Sequence, residues 1–313
     1  MITIRNVEID GAWPTLVTNG SGIRINDLKI DRNKFPGVWR EGILIEDSYV
    51  HDVALEGMYL GNNYNDGDLP LRNVEIRNNI VQHTGFEGIN TKSMWEGRNS
   101  IHHNRVRRVG MNYQKTNKSA EFSGIKNNAG TVRIYNNWVE TTGQHAIQSW
   151  TQAGPLESAG RGPFEARIWN NVIVDADGAN RPFMGNSYGI SVGAQDGCEK
   201  PVPFIYNNTI VNSRQSAVNI SGNAGSGFVR DNLIAGTGGN PVIAVPSSVA
   251  LINNLVGAVT QMAFVDSLRS NFRLTLNSPA RNQGSYVFPA KDFDDHARPQ
   301  GTAADQGAFE ANE

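Results

Sequence analysis

The chain is short of the features by which several protein classes are recognised. It has one cysteine, Cys198, so no internal disulfide can form and the fold must rest on burial and hydrogen bonds. It has no excess of charge of one sign. Twenty-eight lysines and arginines face 30 aspartates and glutamates, which removes the chain-wide electrostatic case for a nucleic-acid partner. No apolar run approaches the roughly 18 residues of a membrane span, and a mean hydropathy of −0.41 suits a soluble chain. Apolar residues show strand-like alternation, not the 3.6-residue spacing of helical repeats.

What the chain does have is glycine, 33 among 313 residues, and one phrase written repeatedly. Its clearest copies are Val74-Glu75-Ile76-Arg77-Asn78-Asn79-Ile80-Val81 and Val132-Arg133-Ile134-Tyr135-Asn136-Asn137-Trp138-Val139, with Ile101 to Val106 between them. Each is followed by a turn and then by a segment such as Glu87-Gly88-Ile89-Asn90, Ser123-Gly124-Ile125-Lys126 or His145-Ala146-Ile147-Gln148. The turn asparagine recurs at Asn79, Asn104, Asn137, Asn171, Asn208, Asn232 and Asn254, at spacings of 25, 33, 34, 37, 24 and 22. Weaker copies stand at Asn6, Asp27 and Asp47. A period near 22 with insertions predicts a parallel β-helix, one coil per copy, in a single elongated domain. Asparagine suits the turn because it tolerates a left-handed backbone and its amide can bond the same amide one coil on.

The Asn-Asn-x-[Ile/Val] turn, the Gly-Ile strand and the coil period resemble the right-handed parallel β-helix, pectin lyase-like superfamily, which includes pectate lyases, chondroitinase B-like alginate lyases and phage tailspikes. The resemblance covers Ile2 to Val256 and implies an all-β fold, with residues 1–260 as the β-helix. Residues 261–313, with Ser278-Pro279, Asp292 to Pro299 and Asp305 to Glu310, resemble the C-terminal capping segment of exported bacterial proteins of this type. Such a segment is expected to pack on the last coils and cover the open rung. The resemblance also implies secretion or a periplasmic location, and a monomer, with a trimeric spike as the alternative. His102-His103 and the Asp294-Asp295-His296 run are read as structural.

Alternation identifies the residues that face outward from the Gly-Ile strands. With Met58, Ile89, Ile125, Ile147, Ile190 and Val218 inward, one outward column reads Tyr59, Asn90, Lys126, Gln148, Ser191, Asn219. The next reads Gly61, Lys92, Asn128, Trp150, Gly193, Ser221. Lys92 and Lys126 then sit diagonally on neighbouring strands, about 7 to 8 Å apart at the backbone. A solvated sheet face is the plain reading of lysine and asparagine. Trp150 beside amides, with long connections at 61–70, 111–121 and 151–164 on the same flank, favours a groove for sugar.

Two lysines and amides suit β-elimination of a uronate polymer. A lysine beside a second cation can act as base, and amides can stabilise the enolate-like intermediate. The lysine-base lyases of the superfamily carry such a lysine on this sheet. The expected roles are therefore Lys126 or Lys92 as base and Tyr59 or His145 as proton donor, with Asn90, Asn128, Gln148, Trp150 and Glu87 binding substrate. No cofactor is required by the residues. Calcium is the one expected cation, with Asp66 and Asp68 in the Asn62-to-Asp68 loop as its ligands. The arginine motifs of the commoner pectate lyases are missing. Glycoside hydrolysis is the rival reading, since Glu56 and Glu87 precede the glycine of consecutive coils and Asp66, Glu121 and Asp196 lie near. A polysaccharide-binding or spike-type β-helix without catalysis is the third.

Overall fold

The structure is a computed structural model that describes residues 1–13, 20–26, 40–61, 70–95, 97–111, 122–152, 163–177, 186–244, 246–285 and 288–311. Each coil gives one short strand to each of three parallel sheets. Among the described residues the sheets have nine, nine and eight strands, stacked in chain order. The first runs from Ile2–Arg5 to Ala250–Ile252 and the second from Glu8–Asp10 to Leu255–Gly257. The third runs from Ile23–Ile25 to Val242–Ala244 and holds Met58–Leu60, Ile89–Met94, Ile125–Gly130, Ile147–Thr151 and Tyr188–Ala194. Inward isoleucines and valines, among them Ile43, Ile76, Ile101, Ile134, Ile168 and Ile205, fill one continuous core along the axis. The core lengthens with each coil and does not thicken, so a chain of this length needs no second domain.

The Asn-Asn turn divides its work between its two residues. The first takes the left-handed backbone, with φ of 56° at Asn78, 51° at Asn136, 50° at Asn170 and 51° at Asn207. The second is buried and forms the ladder. Nδ2 of Asn79, Asn104, Asn137 and Asn171 each donates to Oδ1 of the next ladder asparagine at 3.0 Å, and Asn208 and Asn232 do so at 2.9 Å. His103 and Asp231 take the left-handed position in two coils. His102 stacks on Tyr135 with ring centroids 4.5 Å apart and bonds Glu75 at 3.1 Å, so this pair is part of the wall. The glycine of the Gly-Ile strand is forced by close approach. A Cβ on Gly88 would stand 2.7 Å from the Gly124 carbonyl and 2.5 Å from Val106.

Beyond Gly257 the chain forms an antiparallel hairpin, Phe264–Asp266 with Asn271–Leu274, and then returns as an irregular strap. The strap packs on the last coils from the flank. Met262, Phe272, Leu274, Ala280 and Phe309 cover Val172, Val174, Val211, Leu233 and Ala235 on the outer face of the second sheet. Its backbone also meets the turn column: Asn170 donates to the Lys291 carbonyl at 2.8 Å, and the Gly307 amide donates to the Asp231 carbonyl at 2.9 Å. The final rung is covered less than expected, for its inward Leu251 and Val256 are 54% and 46% exposed. The strap is locked by a buried Arg298–Glu310 ion pair at 3.2 Å. Asp292 accepts from the amides of Asp294, His296 and Glu310, and Asp294 pairs with Arg273, so these carboxylates serve the strap. Among the described residues no helix is long and apolar enough to cross a membrane.

Candidate functional site

The third sheet carries the candidate residues because its outward positions repeat in register. Arg24, Tyr59 and Asn90 align strand to strand, and Asn90 continues into Lys126, Gln148, Ser191 and Asn219. Beside them Lys92 aligns with Asn128, and Trp150 with Gly193. A third column comes from the residues ahead of each Gly-Ile step, where successive backbone bonds join Gly57 to Glu87, Gly88 to Ser123 and Gly124 to His145. Glu56, Glu87, Ser123 and His145 therefore climb beside Tyr59, Asn90, Lys126 and Gln148.

This face is not solvated. Lys126 is 4% exposed, Lys92 7%, Asn90 2% and Asn128 and Glu87 0%, while Trp150 is half-buried. Burying charge is costly unless it is paired, and the pair here is Lys126 Nζ with Glu87 Oε1 at 3.1 Å. Burial holds the Glu87 carboxyl above the usual carboxylate range, against the pull of Lys126, and Glu56 adds to the rise. The sequence reading gave Lys126 a second lysine as its electrostatic neighbour. The structure sets a carboxylate there instead, because Lys92 leans the other way, 5.1 Å over the Tyr59 ring. Arg24 also lies 5.1 Å from that ring. Glu87 is accordingly a partner of Lys126 more than a surface for substrate.

His145 is the alternative proton donor of the sequence reading. It is buried, its Nδ1 accepts the Tyr188 N–H at 3.1 Å, and its ring stacks on Tyr188. Burial, with the Lys126 charge, lowers its pKa to about 3, so it is neutral at ordinary pH and carries no imidazolium proton to give. Gln148 Oε1 accepts from Ser123 Oγ at 3.4 Å. Trp150 lies across the next coil where Gly193 has no side chain; a Cβ there would stand 2.5 Å from the indole. Asp66, Asp68 and Glu121, and the connecting segments 62–69, 112–121 and 153–162, lie outside the described residues.

Among the described residues, several polar atoms of the site are buried without a partner. They are both amide atoms of Asn128, Asn90 Oδ1 and Glu87 Oε2. Such atoms cost about 1 to 3 kcal/mol each when left unbonded, and each can accept or donate a bond to a polar group that enters from outside. The sequence could reveal the columns. It could not reveal that Glu87 reaches Lys126, because that contact joins residues 39 apart across neighbouring coils.

A search of solved structures matches a pectate lyase, Pel9A, with a TM-score of 0.59 and 14% sequence identity, over 99% of this chain and 87% of that one. The fold is a pectin lyase-like, right-handed parallel β-helix. No protein-family model matches the chain, and no curated protein sequence does. At this identity the likeness describes the coil, not the chemistry. A cleft of about 560 Å³ lies elsewhere, between the second sheet and the strap, lined by His103, Arg105, Trp138, Arg273 and Phe293. Its arginines are spoken for, Arg273 by Asp294 and Arg105 by Glu140.

Proposed function

We propose that the chain is a carbohydrate-active enzyme that cleaves a uronate-containing polysaccharide by β-elimination on the outer face of the third sheet. The observation that carries this reading is the buried Lys126–Glu87 pair, 3.1 Å apart, set among amide atoms with no partner. Lys126 is the base that removes the proton beside the uronate carboxylate, with Glu87 holding its Nζ in place. The electron pair of that C–H bond forms the new C=C bond as the C–O bond to the leaving sugar breaks. Asn90, Asn128 and the cation of Lys92 stabilise the charge that gathers on the carboxylate. Tyr59, held between Arg24 and Lys92, supplies a hydroxyl proton to the leaving oxygen. Trp150 offers an apolar face to a sugar ring. Calcium, if bound, would supply charge screening of the same carboxylate; its expected ligands, Asp66 and Asp68, lie outside the described residues. An exported protein is the setting in which such a polymer would be met.

The test is ultraviolet absorbance of the unsaturated product across pectate, alginate, glycosaminoglycan and ulvan-type polymers, with and without calcium. Absorbance should rise for one acidic polymer and vanish in Lys126→Ala. New reducing ends without that absorbance would refute elimination. They would point to the paired-carboxylate hydrolase, which one observation favours: Glu87, its carboxyl held above the usual range by burial, stands beside Glu56 on the adjoining coil. Binding without either product would identify a polysaccharide-binding β-helix.

A further inference from the structure

A second cluster lies on the outer face of the second sheet, in the first three coils, away from the third-sheet site. It joins Glu8 and Asp10 of Glu8–Asp10 to His51 and Asp52 of Tyr49–Val53 and to His83 of Ile80–Thr84. Strand register stacks Asp10 on His51, and Asp52 and His83 fall at the same step of successive coils. Three carboxylates thus meet two imidazoles. Among the described residues no lysine or arginine pairs with Glu8, Asp10 or Asp52.

The hydrogen bonds within the cluster sort its atoms into two sets. Glu8 Oε1 lies 3.3 Å from His51 Nε2 and gives a proton there an acceptor, while Nδ1 faces Asp52. His83 Nδ1 bonds Asp52 Oδ1, which leaves Oδ2 to face His51 Nδ1. Asp10 Oδ1 accepts the Ala12 N–H at 2.8 Å and leaves its second oxygen. One ligand atom each from Asp10, His51 and Asp52 then lies within 4.8 Å of the others, with His51 Nδ1 and Asp52 Oδ2 at 2.7 Å. A tetrahedral zinc ion with bonds of about 2.0 Å separates its ligands by about 3.3 Å, inside that range. An imidazole whose far nitrogen is held by a carboxylate, and a carboxylate whose far oxygen is held by a donor, is how metal ligands are oriented by their outer partners. Mixed nitrogen and oxygen donors suit zinc better than calcium, which takes oxygen alone.

We propose that Asp10, His51 and Asp52 bind a divalent transition-metal cation, zinc by the chemistry of its donors, with Glu8 and His83 as the outer partners that aim them. The ion ties the first coil to the second, and through His83 to the third. It displaces the proton from His51 Nδ1, so binding releases that proton and weakens as pH falls.

The experiment is calorimetric titration of the full chain with Zn2+ alone, with Co2+ absorption as a second readout. One ion per chain should bind, and the cobalt spectrum should carry the intense visible bands of a four-coordinate site. His51→Ala should abolish binding, and Asp10→Asn, at an exposed position, provides a second ligand variant whose fold is not in question. His83→Gln should weaken binding by about ten- to a hundredfold while leaving the stoichiometry at one. Lys126→Ala should bind zinc as the parent does, so that failure of the third-sheet reading and failure of this one are distinguishable. Zinc binding that survives both His51→Ala and Asp10→Asn would overturn the proposal. So would calcium binding in place of zinc, or no binding at all by the parent chain.

Discussion

Replacing Asn137 by alanine should cost far more than the loss of one surface amide. The side chain is fully buried, and its Nδ2 donates to the carbonyls of Ile101 at 2.9 Å and Tyr135 at 3.0 Å and to Asn171 Oδ1 at 3.0 Å. Its Oδ1 accepts from both the backbone and the side-chain nitrogen of Asn104, each at 3.0 Å. Truncation spares some of these partners. Asn104 Nδ2 keeps Ile76 and His102, and Asn171 Oδ1 keeps the Asn137 N–H. The Asn104 N–H keeps nothing and is stranded in the dry turn, at about 1 to 3 kcal/mol. The remaining lost bonds and the small void add about 1 to 2 kcal/mol, for a total of about 3 kcal/mol. Asn254, the last of the ladder, gives the contrast. It is half-buried and makes three such bonds, so water can replace much of what Asn254→Ala removes, at a cost of about 1 kcal/mol. The assay is urea denaturation of both variants, read as a shift in midpoint at unchanged slope. Equal shifts would refute the idea that the ladder acts through desolvated donors, and so would a shift worth under about 1 kcal/mol at Asn137.

Three further outcomes follow from the site. Because burial raises the Glu87 pKa, its contribution to stability is full below the ordinary value of 4.5 and is lost as pH rises through the raised one. Glu87→Gln should therefore flatten the fall of Tm above that pH, and a Tm curve parallel to the parent's would contradict the buried assignment. His145 works in the opposite sense: its folded pKa of about 3 lies below the ordinary 6.5, so stability is lost as pH falls through that window. Nitrogen NMR should find the His145 ring neutral at pH 5, and an imidazolium signal there would refute the assignment. Gly193→Ala should push the Trp150 indole off the sheet, since the new Cβ would meet it at 2.5 Å with Ser221 closing the other side, its Oγ closer still. The expected result is a rise in KM for the polymer with kcat little changed; an unaltered KM would remove Trp150 from substrate binding.

The coil was legible because its physics repeats. A left-handed turn favours asparagine or aspartate, with His103 the exception, and a closed amide ladder needs asparagine at the next step, so the pattern recurs along the chain. The outward columns were legible for the same reason, since a parallel sheet in register stacks equivalent letters. What escaped was everything set by side-chain reach. Nothing in the spacing told that Glu87 would fold over to Lys126, that Lys92 would choose the Tyr59 ring, or that His145 would use its Nδ1 on a backbone amide. The zinc candidate escaped for a different reason. Asp10, His51 and Asp52 carry no repeat signature, because they occupy only two coils and their neighbours in the same columns are ordinary residues.

The C-terminal strap changes how a stack of this kind should come apart. A simple solenoid can fray from either end, one coil at a time, since each coil touches only its neighbours. Here one segment holds several coils at once, reaching Asn136, Asn170, Asn207, Asp231 and Asn253 along a single seam. It acts as a splint. Peeling the last coil cannot proceed without lifting the strap from the four before it, so that end should open in one large event. The coils from Ile2 to Met94 lie beyond its reach and should breathe independently, which places the Lys126–Glu87 pair at the junction between a region that loosens in small steps and one that does not.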